Sequence, residues 1–289
     1  MPPPALPRGL SEIAQAYDAL LCDVWGVIHN GREAYAAACD ALARFQKERG
    51  PVVLISNAPR PSAALHAQLQ GFGVPREAWT AFVTSGDATR LLLAERAPGP
   101  VWPLGPARDA PLYEGLGLSL VDDLEAAAFF VCTGPLDEET EVPEDYRARF
   151  RRGVQRGLDM ICANPDRMVQ KGDRLIYCAG ALADLYQALG GRVLMAGKPH
   201  APVYRCALEA LDGLLGRTAD PKRILCIGDG VSTDVAGAQR QGLDCLFLWG
   251  GVHAADLGGP DEGPPHTLAA NFLVRHSAEA AFAMPELVW

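Results

Sequence analysis

Short, uninterrupted runs of apolar residues recur near both ends of the chain, and each run stops at a polar or glycine-rich segment before a helical stretch begins. The first two runs are Leu20-Leu-Cys-Asp-Val and Pro51-Val-Val-Leu-Ile-Ser-Asn. Residues 34–49 between them are typical of a helix, with apolar residues at Leu42 and Phe45. Because apolar runs without alternation indicate strands buried on both faces, the pattern predicts an α/β fold with a parallel sheet.

The same pattern returns near the C-terminus. The runs there are Arg192-Val-Leu-Met-Ala, Arg223-Ile-Leu-Cys-Ile-Gly-Asp and Asp244-Cys-Leu-Phe-Leu-Trp, with helices expected at about 202–215 and 233–241. We therefore expect both ends of the chain to form one core domain, residues 1–85 and 190–289.

The middle of the chain differs from its ends. It has proline- and glycine-rich joints, such as Ala97-Pro-Gly-Pro, and strand-like runs of its own at 101–104, 127–132 and 159–163, with helices between them. The sequence therefore predicts a smaller α/β domain inserted into the core over residues 86–189, an arrangement that a chain of 289 residues can accommodate.

Composition and charge argue against a nucleic-acid-binding, exported or membrane protein. The 26 basic and 35 acidic residues give a formal charge of -9 without a basic stripe, so nucleic acid is not an expected partner. The basic run 147–152 is most simply a solvated helix face. No segment has the length and apolarity of a signal peptide or membrane span, and the cysteines lie mostly in apolar runs without a Cys-x-x-Cys pair. We expect a cytoplasmic protein with free thiols and no membrane partner.

Four polar clusters follow the apolar runs of the core. They are Asp23-Val-Trp-Gly-Val, Ser56-Asn57, Lys198-Pro199 and Gly228-Asp-Gly-Val-Ser-Thr-Asp234. Ligands of open parallel sheets bind beyond the carboxyl ends of the strands, so we expect all four clusters to face one crevice. Each alone has a structural explanation, since Asp, Ser, Asn and Gly are common in turns and Thr233 is a candidate helix cap.

Together and in this order, the clusters resemble the four motifs of the haloacid dehalogenase superfamily. Longer segments resemble its class IIA branch, which includes p-nitrophenyl-phosphatase-like and nucleotide-phosphatase-like proteins. These segments are Asp23-Val-Trp-Gly-Val-Ile-His-Asn-Gly, Thr84-Ser-Gly-Asp-Ala-Thr, Ala163-Asn-Pro-Asp166 and Gly197-Lys-Pro. The resemblance implies a Rossmann-like core, an inserted α/β cap of the C2 type, and a magnesium-dependent phosphatase.

The resemblance also implies a role for each site residue. Asp23 matches the nucleophile, and a carboxylate can attack phosphorus to form an aspartyl-phosphate. Ser56 and Lys198 match the residues that contact and neutralise the phosphoryl group. Candidate magnesium ligands are Asp23, the backbone carbonyl of Trp25, Asp229 and Asp234. Candidate substrate contacts are Asn57, Asn164 and Asp166, although Asn-Pro-Asp is equally typical of a turn after a strand.

One position departs from the family pattern. Most phosphatases of this superfamily have a second Asp two residues after the nucleophile, which protonates the leaving oxygen and later activates water. This chain has Trp25 there, and an indole cannot transfer a proton near neutral pH. General acid–base catalysis contributes about 10²–10⁴ in rate, so without this Asp the hydrolysis of an alkyl phosphate could be very slow. The metal site is expected to survive, because the family contact uses the backbone carbonyl.

Three functions are compatible with this sequence. The first, which we favour, is a phosphatase for a small phosphorylated metabolite, with a good leaving group or with His29 as a substitute acid, although His29 fits a structural role better. The second is a binding or regulatory protein that retains the magnesium and phosphate site with little turnover. The third is metal-independent dehalogenation, which the acidic pair Asp229 and Asp234 disfavours. The resemblance also implies a homodimer.

Overall fold

The structure is a computed structural model that describes residues 3–171, 174–252 and 264–289. The chain forms two compact units. The first comprises Met1–Ser56, His66–Val83 and Tyr204–Trp289, and the second comprises Asn57–Leu65 and Thr84–Val203. The domain limits predicted above, 86 and 189, remain predictions.

The described residues form twelve strands and eight α-helices. In chain order the strands are β1 Ala19–Asp23, β2 Val52–Ser56, β3 Ala81–Thr84, β4 Val101–Leu104, β5 Phe129–Cys132, β6 Asp159–Cys162, β7 Met168–Lys171, β8 Arg174–Tyr177, β9 Arg192–Met195, β10 Ile224–Gly228, β11 Asp244–Leu248 and β12 Phe282–Met284. The helices are α1 Ala36–Glu48, α2 His66–Gly71, α3 Ser85–Ala94, α4 Arg147–Gln155, α5 Ala179–Ala188, α6 Ala201–Leu215, α7 Ala236–Gln241 and α8 Pro265–Arg275.

A six-stranded sheet forms the centre of the first unit, in the order β12-β11-β10-β1-β2-β3. The pairs of β1 with β10 and with β2, of β10 with β11, and of β11 with β12 are all parallel. Every residue of β1 and β10 is buried, as expected of central strands covered on both faces. On α1, Leu42 and Phe45 are fully buried, so the predicted apolar face of this helix is confirmed.

The second unit has its own parallel sheet, in the order β4-β5-β6-β9, and a separate antiparallel hairpin of β7 and β8. Its core is aromatic. Phe130, Phe150 and Tyr186 are all fully buried, and the Tyr186 ring meets each phenylalanine ring edge-on at 5.0 and 5.3 Å between centroids. This packing gives the unit a hydrophobic core of its own.

The α/β fold class and the parallel core sheet are confirmed, whereas one local expectation is wrong and one hairpin was not predicted. Residues 192–195 were predicted to join the core sheet, but β9 pairs with β6 in the sheet of the second unit. An apolar run identifies a buried strand without identifying the sheet that it joins. The hairpin of β7 and β8 was not foreseen, since its run of residues is short and mixed in polarity.

The cysteines and the basic run behave as the composition suggested. None of the eight cysteines, all of which lie in the described residues, forms a disulfide; seven of them are buried and Cys206 is half-buried. Arg151 and Arg152 are exposed on α4, while the Arg147 guanidinium pairs with the Glu144 carboxylate one turn away. In the part of the chain that the structure describes, no helix combines the length and apolarity needed to cross a bilayer.

Candidate functional site

The carboxyl ends of three neighbouring strands bring the acidic residues of the first unit together. In the parallel register, Asp23 lies opposite Ile55, so Ser56 follows at the next position of β2. Cys22 lies opposite Ile227, and Asp229, two residues after Ile227, directly follows β10. This register places Asp23, Ser56 and Asp229 at one edge of the sheet, as predicted from the strand ends alone.

Three carboxylates cluster at that edge. One oxygen from each of Asp23, Asp229 and Asp234 lies within 4.8 Å of the others, and all three residues are buried, with 7%, 3% and 3% of their surface exposed. The backbone amide of Val252 donates a hydrogen bond of 2.7 Å to Asp229 Oδ2, and that of Gly230 donates one of 3.0 Å to Asp234 Oδ2. These contacts orient the two carboxylates.

The backbone approaches the carboxylates more closely than a side chain would allow. A Cβ on Gly26 would lie 2.2 Å from Asp229 Oδ2, and a Cβ on Gly251 would lie 2.1 Å from the same atom. Gly26 also has a φ of +81°, which favours glycine. Buried like charges at this spacing repel one another, so the donor set fits a hard divalent cation, which binds oxygen ligands of this kind.

Asp234 lies in a π-helical turn, Val231–Val235, that joins β10 to α7. The amides of Asp234 and Val235 both donate hydrogen bonds to the Gly230 carbonyl, at 2.8 and 3.1 Å. The suggestion that Thr233 caps the following helix is therefore wrong, because Thr233 lies inside the turn. Its hydroxyl contacts the Gly230 carbonyl at 3.5 Å and Asp234 Oδ2 at 3.4 Å. Wide turns of this type are common at functional sites and were not signalled by the sequence pattern.

The loop after β1 carries Trp25, whose side chain is 38% exposed. The indole is held at two points. A Cβ on Gly31 would lie 2.3 Å from the indole ring, and the His29 ring meets the indole edge-on, with 5.5 Å between centroids. The Gly26 amide also donates a hydrogen bond of 2.9 Å to the His29 carbonyl, which closes the loop. Trp25 therefore packs against residues of its own loop although it is exposed.

His29 has a structural environment. It is 5% exposed, the Phe72 ring packs against it at 4.8 Å between centroids, and the Gly31 amide donates a hydrogen bond of 2.9 Å to its Nδ1. An Nδ1 that accepts a hydrogen bond puts the proton of the neutral ring on Nε2. Burial lowers the pKa of His29 to about 4, so the ring is neutral near pH 7. This geometry supports the structural interpretation of His29 over a role as substitute acid.

The predicted residues of the second unit are hydrogen-bonded to one another. Asn57 Nδ2 donates hydrogen bonds to Asp166 Oδ1 at 2.8 Å and to the Lys198 carbonyl at 3.3 Å, and Asn57 Oδ1 accepts one from the Lys198 amide at 2.7 Å. Asn164 Oδ1 accepts a hydrogen bond of 3.0 Å from the Asp166 amide, which forms a turn. Lys198 is 2% exposed. Asn57 thus fixes the backbone at Lys198 and the side chain of Asp166.

The segment Thr84-Ser-Gly-Asp87 has a structural role in the same unit. Thr84 Oγ1 accepts a hydrogen bond of 3.0 Å from the Asp87 amide, and the Thr84 amide donates one of 2.9 Å to Asp87 Oδ2. The two bonds form a capping box at the start of α3. Thr84 Oγ1 also donates a hydrogen bond of 2.8 Å to the Arg60 carbonyl, which ties the segment after Asn57 to the helix.

Sequence reasoning missed the loop after β11 and Tyr35. Gly251 and Val252 both contact Asp229, and the signal for them was present, because the Gly-Gly pair at 250–251 follows a buried strand of the same sheet. Tyr35 is 39% exposed at the start of α1. Partial burial, followed by the nearby charges of Asp229 and Glu33, raises the pKa of the Tyr35 hydroxyl. Nothing in the sequence distinguished Tyr35 from other surface aromatics.

Comparison with known proteins identifies the family. A family profile described as haloacid dehalogenase-like hydrolase matches residues 20–119, and a second, described as HAD-hydrolase-like, matches residues 195–273. The crystal structure of a haloacid dehalogenase-like hydrolase from Brucella suis is 45% identical, covers 98% of this chain and 100% of its own, and has a TM-score of 0.86.

Two further relatives have more specific names. Human chronophin is 26% identical, with 84% of each chain covered. The glycerol phosphate phosphatase of Mycobacterium tuberculosis, solved in complex with magnesium, is 28% identical, with 83% of this chain and 70% of that chain covered and a TM-score of 0.65. The chain belongs to the haloacid dehalogenase-like hydrolase family, in the class IIA branch that its motifs predicted.

Proposed function

We propose that this protein is a magnesium-dependent phosphatase that hydrolyses a small phosphorylated metabolite through an aspartyl-phosphate on Asp23. The observation that carries the proposal is the buried cluster of Asp23, Asp229 and Asp234, with Asp23 at the carboxyl end of a central strand. The name of the mycobacterial relative, a glycerol phosphate phosphatase solved with magnesium, supports phosphatase activity and the metal.

The residues that would hold magnesium are Asp23, Asp229 and the backbone carbonyl of Trp25, with Asp234 in support. The ion would neutralise negative charge as the carboxylate and the phosphoryl group approach each other. The close backbone at Gly26 and the amide of Val252 keep Asp229 in a fixed position for that purpose.

The chain's own residues would then act on the phosphoryl group. An oxygen of Asp23 attacks phosphorus, the bond from phosphorus to the leaving oxygen breaks, and water later hydrolyses the acyl phosphate to regenerate the carboxylate. The Ser56 hydroxyl would donate a hydrogen bond to a phosphoryl oxygen, and the Lys198 ammonium would offset its charge. Asn57 supports Lys198 by fixing its backbone, while Asn164 and Asp166 remain candidates for substrate contact.

At this site neither Trp25 nor His29 supplies the proton that a poor leaving group needs. The Trp25 side chain cannot act as an acid or base, and His29 is buried and neutral near pH 7. Loss of a general acid costs about 10²–10⁴ in rate for a leaving group that needs protonation. The proposed phosphatase therefore favours leaving groups that are stable as anions, such as acyl or aryl oxides, over alkoxides.

The same observation at Trp25 favours one alternative function, a binding or regulatory protein that keeps the cation and phosphate site with little turnover. The two functions differ in rate rather than in architecture. Both need the carboxylate cluster, and only the first needs Asp23 as a nucleophile.

The test is phosphate release with and without magnesium, using acetyl phosphate and 4-nitrophenyl phosphate beside glycerol 3-phosphate, for wild type and Asp23→Asn. The proposal expects magnesium-dependent release from the first two substrates and none in Asp23→Asn. An isosteric control is Asp212→Asn, because Asp212 accepts a hydrogen bond of 2.7 Å from the Ala219 amide and takes no part in the cluster. Tight, magnesium-dependent binding of phosphate esters without turnover would establish the binding protein instead.

A further inference from the structure

A cleft on the first unit, which we call the α1 cleft, lies between α1 and the segment that follows α2. Its volume is about 480 Å³, within the range of about 300–1,000 Å³ that is typical of small-molecule sites. Cys39 is 3% exposed and Phe72 is half-buried, so these two side chains form its floor. The rest of its apolar lining is Ala34, Ala36, Ala43 and Pro75. The cleft shares no residue with the carboxylate cluster at Asp23.

The polar side chains of the α1 cleft are acidic. Glu33, Asp40 and Glu77 line it and are all exposed, so their carboxylates are accessible to a ligand. The described residues that line the cleft include no lysine, arginine or histidine. The lining therefore attracts cations and repels anions.

Two arginines are chain neighbours of lining residues, and both have partners of their own. The Arg44 guanidinium pairs with the Asp40 carboxylate at 2.9 Å, one turn away on α1, and offsets that charge. The Arg76 guanidinium lies over the Trp79 ring, 3.9 Å from its centroid. The other two carboxylates of the lining therefore keep the cleft negatively charged.

Size, apolar lining and charge together favour a small organic cation as the ligand. Carboxylates and aromatic rings such as that of Phe72 attract an ammonium group, while an apolar body can cover Cys39 and the alanines of α1. A bare metal ion is disfavoured. Among the described residues, only Asp23, Asp229 and Asp234 form a group of three candidate ligands close enough to hold one.

The floor of the cleft is connected to the carboxylate cluster by a series of direct contacts. The Phe72 ring packs against the His29 ring at 4.8 Å between centroids, and the Phe72 carbonyl accepts a hydrogen bond of 2.8 Å from the Ala34 amide. The His29 carbonyl accepts one of 2.9 Å from the Gly26 amide. Gly26 in turn lies against Asp229, since a Cβ there would be 2.2 Å from Asp229 Oδ2. A ligand that packs on Phe72 therefore stabilises the loop that contacts Asp229.

We propose that the α1 cleft is a regulatory site for a small organic cation, an ammonium group on an apolar body, and that its occupancy strengthens magnesium binding at the carboxylate cluster. A ligand that orders the loop lowers the cost of ordering it again when magnesium binds. Coupling between two sites is reciprocal, so magnesium should strengthen binding of the organic cation by the same factor. The effect on magnesium rests on the metal site proposed above, whereas binding in the cleft does not.

The first test measures binding in the cleft. Benzylamine, which is an ammonium ion at pH 7, and benzyl alcohol, which has the same size and no charge, are titrated into the protein at saturating magnesium and followed by protein NMR. Wild type should prefer benzylamine. Glu77→Gln should weaken its binding by about two- to fivefold, and Glu33→Gln with Glu77→Gln by about tenfold, with benzyl alcohol unaffected.

The matched control is Glu48→Gln, because Glu48 is an exposed carboxylate of the same helix that does not line the cleft. This variant should bind benzylamine as wild type does. Equal affinity of wild type for the two compounds, or undiminished binding of benzylamine in the double variant, would overturn the site.

The second test measures the coupling. Benzylamine should raise the affinity for magnesium by about fivefold in wild type, and by much less in the double variant and in Ala43→Trp, which fills the cleft. Thermal unfolding of Ala43→Trp without ligand checks that it is folded. Unchanged magnesium affinity would overturn the coupling. A fall in affinity that persists in the double variant would overturn it too, since it would show competition at the carboxylate cluster. If wild type binds no magnesium, the proposed metal site fails, while the comparison of the glutamate variants still decides whether the cleft binds a cation.

Discussion

Asp229→Asn should separate protein stability from cation binding, because Asp229 lies in a cluster of three like charges. One oxygen from each carboxylate lies within 4.8 Å of one from each of the other two, and two unit charges at that distance repel by about 3 kcal/mol at an effective dielectric constant of about 20. The substitution removes two such repulsions. It weakens the hydrogen bond from the Val252 amide, which costs about 1–2 kcal/mol. Without a divalent cation the variant should therefore be more stable than wild type by a few kcal/mol.

Thermal unfolding with and without magnesium measures both effects. At about 2–4 °C per kcal/mol for a protein of this size, the cation-free variant should unfold at least roughly 5 °C above cation-free wild type. Magnesium at a hundred times its Kd should stabilise wild type by about 2.7 kcal/mol and the variant by much less. The control is Asp212→Asn, which should leave the magnesium effect unchanged. If cation-free Asp229→Asn is less stable than wild type, or if magnesium raises both Tm values equally, the reasoning about the cluster is refuted.

Three further substitutions have defined outcomes. Trp25→Asp restores a proton donor and should raise kcat on an alkyl phosphate by about 10² or more, measured by phosphate release; no gain would show that the missing acid does not limit the rate. Gly26→Ala forces a Cβ against Asp229 at a φ of +81° and should cost more than about 1 kcal/mol in stability and tenfold or more in magnesium affinity by calorimetry; unchanged affinity would argue against this part of the site. The hydrogen bond from Arg223 holds the pKa of Asp18 at about 2, below its ordinary 3.8. The ion pair therefore stabilises the folded protein above about pH 4, and this stabilisation is lost as the pH falls through about 2. Asp18→Asn should therefore destabilise the protein at pH 7 and flatten its acid unfolding between those values, and an unaltered pH profile in urea unfolding would contradict this.

The shared edge of the site residues in the first unit was predictable because strand ends in a parallel sheet share an edge. Asp23, Ser56 and Asp229 each follow an uninterrupted apolar run, and that fact alone placed them together. Asp234 was predicted with them through its spacing from Asp229, although the turn that brings it there is a π-helical turn rather than the start of an α-helix.

Features set by tertiary packing were not predictable. The strand at 192–195 pairs in the second unit, because the choice between two parallel sheets depends on long-range packing that a local apolar run does not encode. The hydrogen bonds of Asn57 to Asp166 and to the backbone of Lys198 join residues more than one hundred positions apart. The position of Gly251 against Asp229 could have been inferred from the strand before it, whereas the exposure of Trp25 and Tyr35 could not.

The measurement that tests the central claim most directly is detection of a phosphoryl group on Asp23. Without a base to activate water, the second step should be slow, so the aspartyl-phosphate should accumulate after a burst of leaving-group release. Acid quenching during turnover of 4-nitrophenyl phosphate, followed by mass spectrometry of the peptide that contains Asp23, should find one phosphoryl group in wild type and none in Asp23→Asn. Steady turnover with no phosphorylated peptide, or turnover that persists in Asp23→Asn, would contradict the assignment of Asp23 as the nucleophile.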